Sequence, residues 1–124
     1  MNEIKKPKIL IIDDEEQLAN SLSVRLNAAG YDVAWADCGT SGIQRIKQGI
    51  PDLILLDLMM PDMDGIETLK RVREIDEMVP VIILTAYGTM KTALEAFSMN
   101  VVDHIAKPFE TKLLLEKITN ILKK

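Results

Sequence analysis

The chain of 124 residues is 48% hydrophobic and 27% charged, the make-up of one globular domain with a sizeable core. Its net charge of -4 and pI near 5.0 leave no basic face for a phosphate backbone, which excludes direct nucleic-acid binding. A single cysteine, Cys38, excludes an internal disulfide and fits a cytoplasmic setting, and no apolar run approaches the roughly 20 residues of a membrane span, so no membrane insertion is expected.

In chain order, "MNEIKKPKILII" places two adjacent lysines before an apolar run, but that run stops at Asp13 and is too short for a signal-peptide core. Within it, "KILII" (8–12) predicts the first strand, ended by Asp13 and Asp14. "EQLANSLSVRLNAAG" predicts a helix, with Leu18, Leu22 and Leu26 four apart and Gly30 as its stop. "YDVAWA" (31–36) alternates and predicts a second strand near an edge. "TSGIQRIKQG" predicts a short helix capped by Thr40 or Ser41 and closed by Gly49. "DLILL" predicts a third strand, buried on both faces. "DGIETLKRVREI" opens a third helix with Asp64 and Glu67 in a capping-box arrangement, and Gly65 is expected to allow the turn into it. "PVIILT" (80–85) predicts the fourth strand, "TMKTALEAFSMN" the fourth helix and "VVDHIA" the fifth strand. "ETKLLLEKITNILKK" is the last helix, with Lys123 and Lys124 complementing its dipole.

Five strand–helix units without a linker or repeat predict a single α/β domain over 1–124, a doubly wound parallel sheet covered on both faces. In such sheets, ligands bind beyond the carboxyl ends of the strands, where strand order reverses. The residues at those ends are Asp13 and Asp14 after the first strand and Asp57 after the third. Thr85 ends the fourth, and Lys107-Pro108 follow the fifth.

Taken singly, an acid after a strand serves equally well to cap the next helix, Thr85 is a turn residue and Lys107 a surface lysine. Together on one sheet edge they ask for a different explanation. Three neighbouring carboxylates repel and raise one another's pKa unless a cation is present. Mg2+ suits such hard oxygen donors and keeps water for a phosphate-bearing substrate. Lys107 and Thr85 suit phosphate oxygens, and Asp57 is the candidate nucleophile of an acyl-phosphate-forming site.

The segments "ILIIDDEEQ", "DLILLDLMMPDMDG", "VIILTAYG" and "AKPF" resemble the four motifs of the receiver domain of bacterial two-component response regulators, from about Lys8 to Leu122. The resemblance implies a flavodoxin-like (βα)5 fold with strand order 2-1-3-4-5. It implies that Asp57 accepts a phosphoryl group from a histidine kinase or histidine phosphotransfer protein. Asp14 and Asp57 would bind magnesium by carboxylates, Met59 by its backbone carbonyl and Asp13 through water. Thr85 and Lys107 would contact the phosphoryl group, with a cis Lys107-Pro108 bond. Such a protein phosphorylates itself and dephosphorylates slowly rather than turning over as an enzyme. A downstream effector protein or domain would read the face built by the fourth helix, fifth strand and fifth helix, which also serves homodimers in the family. Thr85 and an aromatic on the fifth strand form the family's switch; here His104 takes the aromatic's place. The "AYG" and "H-x-A-K-P-F" features are shared with a stand-alone receiver of the sporulation phosphorelay, and "TAYG" with enhancer-binding regulators.

The alternative is a magnesium-dependent aspartyl-phosphate phosphohydrolase on a related fold. It would want a second acid two residues after the nucleophile, where Met59 stands. A flavin carrier would want a Ser, Thr and Gly-rich loop in place of "DDEEQ". The bulk of Met59 and Tyr87 is expected to obstruct attacking water and prolong the phosphorylated state. Trp35 reads as a packing residue on the second strand, and Cys38 as an incidental thiol. The chain ends at Lys124 without an effector domain, which leaves open a stand-alone regulator or a receiver cut from a larger one.

Overall fold

The computed structural model of the protein describes residues 5–60, 65–85 and 98–123. Its elements are β1 (Lys8–Ile12), α1 (Glu16–Ala28), β2 (Asp32–Ala36), α2 (Gly39–Gln48), β3 (Leu53–Asp57), α3 (Gly65–Ile75), β4 (Val81–Thr85), β5 (Asp103–Ala106) and α4 (Thr111–Leu122). Here α4 denotes the last helix. Most of the helix expected from "TMKTALEAFSMN" lies outside the described residues, as do Asp64, with its expected cap, and Tyr87.

The strands pair in parallel in the order β2-β1-β3-β4-β5, as expected, with β2 at an edge and β3 in the centre. Alternation along each strand divides the core in two. Leu10, Ile12, Ile54, Leu56, Val81 and Ile83 face Ile43 and Ile46 of α2 and Leu69 and Val72 of α3. Ile9, Ile11, Leu53, Leu55, Ile82 and Leu84 face Leu22 and Leu26 of α1 and Leu114 and Ile118 of α4. The apolar residues of β1, β3 and β4 are thus buried on both faces of the sheet, which explains strands written as unbroken apolar runs. β1 pairs with β2 on one side and β3 on the other, so the order reverses between β1 and β3, and the crevice there opens at the ends that carry Asp13 and Asp57.

Local differences from expectation have local causes. Helix α2 starts at Gly39 with Cys38 at its N-cap, and no side chain caps it. Ser41 lies inside the helix, its Oγ 3.2 Å from Cys38 Sγ. Gly30, with φ of 99°, ends α1 in the left-handed region, as its sequence position implied. Gly65 has a steric role: a Cβ there would collide with Leu58 Cα and reach Asp57 O at 2.8 Å. The start of α3 therefore packs directly on the end of β3.

Arg73 on α3 braces the opposite end of the sheet. Its Nε donates to Met99 O at 2.8 Å, Nη1 to Val79 O at 2.8 Å and Asp76 O at 3.3 Å, and Nη2 to Asn100 O at 3.1 Å. One guanidinium thereby ties the loop before β4 to the turn before β5, where Asn100 takes a φ of 61°.

Candidate functional site

The β1–β2 ladder extends one bond past β1, from Asp13 N to Ala36 O at 3.1 Å. Asp13 is consequently fully buried at the mouth of the crevice. Its Oδ1 accepts from Glu15 N at 2.9 Å, an Asx-type bond that turns the chain towards α1. Asp14, next to it, is exposed. Asp57 closes β3 inside the strand, in register with Leu84 of β4, and is only 3% exposed. Its Oδ1 accepts from Met59 N at 3.0 Å. Carboxylate oxygens of Asp13, Asp14 and Asp57 lie within 4.8 Å of one another.

Lys107 enters from the far side, just after β5 and beside a cis Lys107-Pro108 bond. Its ammonium sits 2.7 Å from Asp13 Oδ2, 2.8 Å from Glu15 Oε1 and 3.4 Å from Asp57 Oδ2. Burial alone would lower its pKa, but the hydrogen bonds it donates to Asp13 and Glu15 and the charges of Asp13 and Asp57 lift it to about 12. It is a fixed cation at neutral pH. Burial, with the Asp13 charge adding, pushes Asp57 up from 3.8 to about 6, against the opposing Met59 N–H and Lys107 ammonium.

Three carboxylates, those of Asp13, Glu15 and Asp57, therefore face one ammonium with Asp14 beside them, and negative charge is in excess among the described residues of the site. All the donors are hard oxygens, a set that fits a hard divalent cation and no soft metal. The arrangement offers what a phosphoryl-transfer centre would need: an ionisable carboxylate, oxygens that could hold a cation and a compact ammonium.

Four residues named from the sequence, Asp13, Asp14, Asp57 and Lys107, come together as expected. Thr85 is the last residue of β4, opposite Ala106 at the same edge; its side chain lies outside what the structure describes. His104 lies exposed on β5, opposite Ile83, and its N–H donates to Asp103 Oδ1 at 2.8 Å. Met59 is mostly exposed beside Asp57. Two participants were missed. Glu15 carried no signal beyond being one more acid in "DDEE". Trp35, read as packing alone, also donates its indole N–H to Asp13 O at 2.7 Å.

The chain matches the family model of the response regulator receiver domain over residues 9–119. It is 40% identical over 117 residues to sporulation initiation phosphotransferase F of Bacillus subtilis, covering 94% of this chain and 91% of that protein. It is 37% identical over 120 residues to the uncharacterized transcriptional regulatory protein YkoG of the same organism, covering 97% and 53%. With the transcriptional regulatory protein ZraR of Escherichia coli it shares 36% over 102 residues, covering 82% and 23%. The chain thus spans about half the length, or less, of several curated relatives that it matches. Among solved structures, a CheY-like receiver domain protein of Methanospirillum hungatei superposes with a TM-score of 0.91 at 28% identity, covering 94% of this chain and 93% of that one. Chemotaxis protein CheY4 of Vibrio cholerae gives 0.88 at 28%, covering 95% and 100%.

Proposed function

The chain belongs to the receiver-domain family of response regulators, phosphoryl-accepting modules of two-component signalling, and we propose that Asp57 is its phosphoacceptor. The observation that carries this reading is the place of Asp57: buried at the end of the central strand, its carboxylate pinned between the Met59 amide and the Lys107 ammonium.

With its pKa near 6, Asp57 is mostly ionised at neutral pH and so available as a nucleophile. One of its oxygens attacks the phosphorus of a phosphohistidine on a histidine kinase or histidine phosphotransfer protein. A P–O bond forms as the P–N bond breaks, and the departing imidazole nitrogen keeps that electron pair and takes up a proton. The Met59 N–H holds the carboxylate against rotation and Lys107 turns its ammonium to the arriving phosphoryl oxygens; for Thr85, the last residue of β4, a hydrogen bond to the same group is proposed from the family resemblance. In hydrolysis, water attacks phosphorus and loses a proton, the P–O bond breaks, and Asp57 regains its carboxylate as inorganic phosphate leaves.

Mg2+ fits the donor set; Asp14 and Asp57 through carboxylates, Met59 through its backbone carbonyl and Asp13 through water would hold it, and it would supply charge neutralisation for the transferring group. Met59 stands where a hydrolase would need its general acid–base, which favours a slow phosphoacceptor over a turnover enzyme. Among the described residues no helix is long and apolar enough to cross a membrane.

The output follows from the same reading. A downstream effector protein or domain, or a second copy in a homodimer, would dock on the side of the molecule that carries β5 and α4, as the family resemblance implies; the helix expected before β5 lies largely outside the described residues. The test is incubation with acetyl phosphate and magnesium. We expect one acid-stable, base-labile phosphoryl group per chain, absent from Asp57→Asn; full labelling of Asp57→Asn would overturn the assignment.

A further inference from the structure

Trp35 does more than fill space under α1. In a parallel ladder, a residue that donates its N–H to one carbonyl of the neighbouring strand receives at its own carbonyl the N–H two residues further along that strand. Asp13 donates to Ala36 O, so its carbonyl would look for the N–H of Cys38. β2 ends at Ala36, however, and Cys38 already serves as the extended N-cap of α2. The Trp35 indole supplies a donor instead, at 2.7 Å. Its partly buried ring packs against the core cluster that includes Ile9 and Ile11 of β1 and Leu22 of α1. With this bond, Asp13 is held at its amide, its carbonyl and both carboxylate oxygens.

We infer that Trp35 is a positioning residue for the acidic pair: its indole N–H fixes the peptide joining Asp13 to Asp14, and with it the carboxylate spacing that receives a divalent cation. The inference rests on the metal reading of the site given above and assigns a residue outside the donor set. The bond holds the backbone between two adjacent carboxylates, one buried and one exposed, whose oxygens lie within 4.8 Å, so a small peptide rotation would separate them. Free rotation of that peptide would weaken cation binding without unfolding the sheet.

The test compares the full chain with Trp35→Phe, which keeps an aromatic ring but lacks the donor, and with 3-benzothienylalanine at position 35, an isostere of tryptophan without the N–H. Magnesium binding to the unphosphorylated protein is measured by calorimetry, and hydrogen exchange is followed at the Glu15 amide. We expect the isostere and Trp35→Phe both to weaken magnesium binding by about three- to tenfold, the worth of one hydrogen bond, with faster exchange at Glu15. Wild-type magnesium affinity in the isostere overturns the inference, whether or not Trp35→Phe is impaired, because packing alone would then account for Trp35. Failure of the unsubstituted protein to bind magnesium would overturn the reading of the site, and this inference with it.

Discussion

Glu15 holds the ammonium of Lys107 at 2.8 Å, closer than the 3.4 Å that separates the same ammonium from Asp57. A phosphoryl group arriving on Asp57 must draw Lys107 away from that contact. Glu15 also adds a negative charge where an anionic donor approaches. Its side chain is 56% exposed, so solvent keeps the pair weak, about 1 kcal/mol or less. Glu15→Gln is therefore expected to accelerate phosphorylation by acetyl phosphate up to about fivefold and to flatten its dependence on ionic strength. Stopped-flow or gel assays over a salt series measure both; an unchanged rate would show that Glu15 does not restrain Lys107.

The raised pKa of Asp57 makes stability depend on pH in a definite direction. Between the unfolded value of 3.8 and the folded value near 6, the folded chain binds more protons than the unfolded one. Without magnesium, the Asp57 contribution to stability should fall as pH rises through that window and level off above it, by up to about 3 kcal/mol. Asp57→Asn removes the titrating group and should be more stable than wild type at pH 7 in chelator, with a flatter profile. Urea midpoints from pH 4 to 8 give the answer, and added magnesium should narrow the difference. A stability difference between Asp57→Asn and wild type that does not widen from pH 4 to 6 in chelator would contradict the burial argument.

Much of this architecture was legible in the chain. Apolar runs such as "LILL" reported strands sealed on both faces, and the rule that chemistry sits at their carboxyl ends brought Asp13, Asp57 and Lys107 together before any coordinates. What escaped was side-chain reach. Nothing in a pattern of alternation shows that the Trp35 indole bends to Asp13 O, or that Arg73 spans two loops, because these bonds depend on where strands stop. The cap of α2 was misplaced for a related reason: Thr40 and Ser41 favour caps by type, but Cys38 is where the chain leaves its extended course. Gly65 was assigned to a turn when the constraint is a close approach to Leu58, which only packing reveals.

Arg73 is the structural counterpart of the site. Its four carbonyl partners lie in two segments, the loop before β4 and the turn before β5, so Arg73→Met leaves several partly buried acceptors unpaired. The expected loss is about 2–4 kcal/mol. Arg73→Lys should recover less than half of it, since an ammonium lacks the planar fork that serves both loops at once. Denaturant unfolding of the two variants tests this; a loss below about 0.5 kcal/mol in Arg73→Met would mean that water replaces the guanidinium without cost.

Met59 is 62% exposed and anchored by its amide to Asp57, and on the proposed assignment of Asp57 it would set an apolar side chain beside the phosphoryl group. Met59→Asn substitutes a group that can hydrogen-bond attacking water. Decay of the isolated phosphorylated protein in magnesium is expected to quicken severalfold. An unchanged half-life would remove Met59 from the control of hydrolysis.

The most direct test of the whole reading is to locate the phosphoryl group. The protein is phosphorylated with acetyl phosphate and magnesium, reduced with borohydride to convert any acyl phosphate to a stable alcohol, digested and mapped by mass spectrometry. Reduction confined to position 57, in the peptide that spans β3, is the expected result. Reduction at Asp13 or Asp14 instead, or phosphate retained on His104 with Asp57 untouched, would contradict it.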